Sequence, residues 1–149
     1  MSGEEGWLPA LASWTEQALG DAAWRVYAGE WPASYERPAV LWRMTAAETR
    51  TGNAAFGETT RRYAGHVLGR DAAEQSDAAA LLADELTQAV KLPLDAADRR
   101  YLLVRQAAAD ANVDPLATGQ LSLTLSRKSS RPFATAPPMR EISFRQIEE

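Results

Sequence analysis

The chain has 149 residues, 46% hydrophobic and 24% charged, the size of one domain able to bury a core without cross-links. It has no cysteine, which excludes disulfides, thiolate catalysis and cysteine-held zinc, and its one histidine, His66, is the only residue around which a Ser-His-Asp or histidine–metal site could form. The net charge of −4 argues against a dedicated nucleic-acid binder, the acidic start makes no secretory leader expected, and no apolar run approaches the ~20 residues that span a bilayer.

Trp7, Leu8, Leu11, Trp14 and Leu19 recur at helical spacing and predict an amphipathic helix that stops at Gly20. Trp24–Tyr27 reads as a short strand and residues 29–34 as a loop, because Pro32 cannot donate to a ladder. Residues 39–50 and 59–68 read as two antiparallel strands. In the first, Val40, Trp42 and Met44 share one face and Leu41 and Arg43 the other; in the second, Arg62, Ala64, His66 and Leu68 alternate with Tyr63, Gly65 and Val67. Between them, residues 51–58 are expected to form a long loop with Phe56 exposed at its tip.

Residues 77–90 give the clearest second helix, capped by Ser76 and ended by Pro93. Residues 95–113 are open to both readings, since their Ala, Leu, Arg and Gln favour a helix while Tyr101–Gln106 suits a strand. Residues 119–126 alternate Leu121, Leu123 and Leu125 with Ser122, Thr124 and Ser126, the pattern of a half-buried antiparallel strand. The expected organisation is one α+β domain over residues 1–126, with a mixed, mainly antiparallel sheet, a long β-hairpin and two packing helices. A basic, Pro-rich arm over 127–149 follows, with alternating residues 141–147 as a candidate terminal strand.

No catalytic constellation emerges. His66 has no partner in sequence that would make it a base or a ligand, so a packing or surface role is expected. Asp84 and Glu85 are adjacent on a helix and diverge by about 100°, which keeps them from acting as an acid/base pair. Residues 52–57 lack the Lys-Ser/Thr ending of a phosphate loop. Neither enzymatic activity, a cofactor, a metal nor a membrane or sequence-specific nucleic-acid partner is expected.

The charges are instead segregated. Residues 71–98 carry a net −6 and residues 121–145 a net +4, so one copy can offer opposite signs to another, an arrangement suited to head-to-tail closure. The candidate subunit-interface residues are Asp77, Asp84 and Glu85 on the acidic side and Arg127, Lys128 and Arg131 on the basic side, with Phe56 at the loop tip and Trp31, beside Pro32, as an anchor.

The order of elements carries a resemblance: Val26-Tyr27 after a first helix, Pro38 ahead of Ala39-Val40-Leu41-Trp42, the hairpin around 51–58, the helix 77–90, and Gly119 before Leu121-Ser122-Leu123. Over about the first 126 residues this layout is similar to the tail terminator or tail-completion proteins of long-tailed bacteriophages and phage-derived tail particles. The resemblance implies a sheet covered by two helices and strand rather than helix over 101–113. It further implies a hexameric homo-oligomeric ring at the head-proximal end of the tail tube, assembled in the host cytoplasm. There such proteins end tube polymerisation, with the tail tube protein and a head–tail connector as partners. The alternatives are a head–tail connector or adaptor, and a monomeric ligand- or peptide-binding α+β module.

Overall fold

The computed structural model describes residues 4–51, 56–95, 100–110 and 113–130. The elements are α1 (Glu4–Leu19), β1 (Arg25–Ala28), β2 (Ala39–Thr51), β3 (Phe56–Leu68), α2 (Ala72–Ala89), β4 (Lys91–Asp95), β5 (Arg100–Ala109) and β6 (Leu121–Ser130). The six strands form one mixed sheet in the order β1-β2-β3-β6-β5-β4, in which β1 lies parallel to β2 and every other neighbouring pair is antiparallel. The α+β architecture expected from sequence is the one observed.

Both helices lie on the same face of the sheet. The apolar stripe of α1, Trp7 and Leu11, and that of α2, Leu82 and Leu86, meet Val40, Trp42, Tyr63, Val67, Leu121, Leu123 and Leu125, all with near-zero exposure. Each strand sends alternate side chains to this core, so the leucines of β6 that mark it in the sequence are those that α1 and α2 bury. Two devices let Trp42 lie flat in the middle. Its indole N–H donates to Thr15 Oγ1 at 2.9 Å, so this buried donor is satisfied, while Thr15 donates to the Leu11 carbonyl. On the neighbouring strand stands Gly65, where a Cβ would come within 2.7 Å of Trp42 Cζ3.

Several boundaries differ from the sequence expectation. Helix α2 begins at Ala72, capped by Asp71, whose carboxylate accepts from the Glu74 N–H at 2.8 Å; Ser76 lies inside the helix. It ends at Val90, at φ 65° and ψ −41°, so the chain turns before reaching Pro93. Pro93 instead sits in the edge strand β4, where a missing N–H is tolerated. Of residues 95–113, the stretch Arg100–Ala109 is strand.

Residues 51 and 56–58, expected in a loop, belong to β2 and β3, whose pairing runs to Thr51↔Gly57. Residues 127–130, expected at the start of an arm, pair with Phe56–Thr59 and complete β6. In both places the backbone ladder outlasts the hydrophobic alternation, because the ends of these strands project past the core as a three-stranded tongue. The hairpin tip at 52–55 and the segment 131–149, with the proposed strand 141–147, lie outside the described residues.

Candidate functional site

The face of the sheet opposite the helices is covered at one end only. Strand alternation places Leu41, Ala64, His66 and Leu68 on this face near the β1 side, where all four are buried. Loop 29–38 brings an aromatic cluster over them: Trp31 packs on Tyr27 at 5.7 Å, on Tyr35 at 4.6 Å and edge-on to His66 at 6.4 Å between ring centroids. Trp31 is thus half-buried within its own chain, with its indole N–H buried and without a partner among the described residues.

His66 has 1% exposure and binds through both ring nitrogens. Nδ1 lies 2.7 Å from the Pro115 carbonyl, and Arg43 Nε stands 2.9 Å from Nε2. A carbonyl can only accept and a guanidinium can only donate, so Nδ1 carries the proton and Nε2 is bare: the ring is neutral and its tautomer is fixed. Burial pushes the His66 pKa below its ordinary value; the Pro115 carbonyl opposes this and the Arg43 charge adds to it. The ring ties the loop after β5 to the sheet. Both of its nitrogens are engaged and its nearest charged neighbour is a cation, so it does the packing work expected of it.

Toward the tongue no helix or loop among the described residues covers the same face, which is bare in that sense. Register places Arg43, Arg50, Arg62 and Lys128 on it, together with Glu48 and Glu58, and Glu58 is drawn into an ion pair by Arg105 at 2.9 Å. Arg105 occupies a β-bulge and also donates to Ser126 at 2.8 Å. Arg127 and Lys128, treated in the sequence as one basic patch, point to opposite faces: Lys128 is exposed on the bare face, and Arg127 is half-buried on the helix side.

The other surface of the molecule belongs to α2. Asp77, Asp84 and Glu85 are all exposed along its outer side, with Leu81 40% exposed between them. Helical spacing sets them in one stripe. Near the start of α2, Arg70 donates to the Glu74 carboxylate and holds its pKa down at about 2. Of the remaining candidates, Phe56 opens β3 opposite Ser130, with its side chain outside the description, and Arg131 lies outside it entirely.

The structure therefore gathers the three acidic candidates on one surface and Lys128 on the opposite one. It adds Arg43, Arg50 and Arg62 to the basic side. The alternation of β3 had already put Arg62 beside His66, but which face the helices would leave open was not encoded locally. Among the described residues no group of three or more His, Asp or Glu side chains could hold a metal ion, and no helix is long and apolar enough to cross a membrane. Apart from Glu74, which Arg70 holds, the α2 carboxylates Asp77, Asp84 and Glu85 face solvent with no ion-pair partner among the described residues. No family model matches the chain, and no curated protein matches it.

Proposed function

We propose that this chain is a tail terminator: a structural protein that closes into a hexameric ring at the head-proximal end of a phage-type tail tube. It stops tube growth and offers the head connector a surface. The observation that carries the reading is the distribution of charge across the two layers. The outer side of α2 is acidic and the bare sheet face is basic, so the acidic side of one copy fits the basic side of the next. Repeated head to tail, such a contact closes into a ring when its rotation divides the circle. The tongue of β2, β3 and β6 extends beyond the core and gives each copy an element able to reach a neighbour or the tube. The order of elements, similar to that of tail terminators, supplies the identity of the ring.

The test is assembly. Purified protein is followed by light scattering and by negative-stain microscopy, alone and with tail tubes. The expected result is rings in solution, or rings seated on tube ends with tube length held constant. A protein that stays monomeric and neither caps nor binds tubes refutes the proposal. A ring that binds the head connector but leaves tube length unrestrained makes it an adaptor instead.

A further inference from the structure

A shallow groove of about 470 Å³ runs between the end of α1, the start of β1 and the first turns of α2. Its floor is apolar, made by Leu19, Trp24 and Leu81, and its rim is acidic, with Asp21, Glu74 and Asp77. Arg70 occupies Glu74, while Asp77 has no ion pair among the described residues. An aromatic floor with a carboxylate rim suits an extended, Pro-rich segment with flanking cations, because prolines keep such a segment stretched and cheap to order while its ends supply the charge. The chain contains one segment of that kind, residues 131–140 (RPFATAPPMR), with Arg131 and Arg140 at its ends, Phe133 near its start and no acidic residue within it.

We propose that residues 131–140 of one copy lie in the α1/β1/α2 groove of the next, as the strap that secures the ring. The inference rests on the ring reading above and names the contact that reading leaves open. Geometry decides between a copy's own groove and its neighbour's. Ser130 pairs with Phe56 at the far end of the tongue, whereas the groove lies past the other end of β3, beside the Asp71 cap that follows Leu68. From Phe56 to Leu68 is roughly 40 Å of strand. Residues 131–140, even fully stretched, cover at most about 33–36 Å. The Pro-rich segment therefore falls short of its own groove, and a neighbour stacked head to tail brings another within reach. Charge points the same way, since the rim is negative and the segment positive.

The absence of native cysteine makes the test clean. A Leu81→Cys chain is mixed with a size-tagged Phe133→Cys chain at high protein concentration, oxidised, and run on a non-reducing gel. A Leu116→Cys chain, altered at a 48% exposed position outside the groove, replaces the first partner as control. The mixed disulfide joining the Leu81→Cys chain to the Phe133→Cys chain should be the main product, well above the control. Adding Asp77→Lys or 0.5 M salt should cut its yield about threefold or more, as expected of a rim ion pair that salt screens. A mixed product no stronger than the control overturns the proposal. So does an internal disulfide in the Leu81→Cys/Phe133→Cys double variant, which would place the segment in its own groove. If the unaltered chain caps tubes while the disulfide fails, the strap is wrong and the ring stands. If the disulfide forms but tubes go uncapped, the contact between copies stands and the tail assignment falls.

Discussion

Gln120 does for the sheet what a strand residue would otherwise do. The β3–β6 ladder ends at Gly65↔Leu121, which leaves the next outward-pointing main-chain groups of β3, those of Val67, without a strand partner on that side. The Gln120 amide replaces one: its Oε1 accepts from the Val67 N–H at 2.9 Å and its Nε2 donates to the Val67 carbonyl at 2.8 Å. Gln120 has 7% exposure and Val67 none, so water cannot take over. Gln120→Leu keeps the volume and removes both bonds. Each of the two stranded buried groups costs about 1–3 kcal/mol, and the leucine recovers roughly 1 kcal/mol of apolar burial, so a net loss of about 1–5 kcal/mol is expected. That is a large part of a typical stability of about 5–15 kcal/mol. Guanidinium unfolding should show a lower midpoint at unchanged slope, and hydrogen exchange should speed selectively at the Val67 amide. Gln120→Glu, which keeps the acceptor but turns an oxygen toward the Val67 carbonyl, should also destabilise. A loss below about 0.5 kcal/mol, or an unchanged Val67 exchange rate beside a real loss, would refute the reasoning, since one stranded donor alone exceeds that figure.

Burial lowers the His66 pKa from its ordinary 6.5, so in the window just below 6.5 the unfolded chain binds more protons than the folded one. Stability is therefore full above pH 6.5 and declines as pH falls below it, and His66→Gln, which can still accept from Arg43 and donate to Pro115, should flatten the fall between pH 7 and pH 5 in a series of unfolding midpoints. Val90 is a β-branched residue at φ 65° and 61% exposed, so Val90→Gly should stabilise by about 1 kcal/mol in thermal unfolding through relief of backbone strain. Gly65→Ala sets a methyl 2.7 Å from Trp42 and 2.9 Å from Leu121 Cβ, and should cost about 1–3 kcal/mol by the same measurement.

Where burial follows from local periodicity, the sequence carried the fold. The leucines of β6, the Val40/Trp42 face of β2 and the Leu82/Leu86 stripe of α2 all sit in the core as their spacing requires. The start of α2 was also legible, because Asp71 followed three residues later by Glu74 is the pattern of a capped helix start, although the apolar stripe begins only at Ala78, about two turns further along. Strand β4 was hidden by Pro93, a residue that signals a break unless the strand is known to lie at an edge. The tongue was hidden for another reason: outside the core, backbone pairing persists with no side-chain pattern to announce it. At the candidate surfaces, the acidic stripe of α2 could be read from helical spacing. The contact of His66 with Pro115, across 49 positions of sequence, could not, nor could the side of the sheet that stays bare.

Segregation of charge along a chain does not by itself imply assembly, since a hairpin or helix could fold the two signs together and cancel them. Here the fold does the opposite. The acidic residues lie on the outer side of the helical layer and Lys128 with Arg43, Arg50 and Arg62 on the far side of the sheet, so the core stands between them. A two-fold dimer through either surface would set like against like, acid on acid at α2 or base on base at the sheet, and both arrangements are repulsive. The contact these charges favour joins unlike surfaces of two copies, and it leaves each end of the pair able to add another. Such a contact must either close or grow without limit, and the proposed strap from the tongue of one copy to the groove of the next would fix the angle between them. The separation of charge through the thickness of the molecule, more than its sum of −4, is therefore the property on which the proposed ring depends.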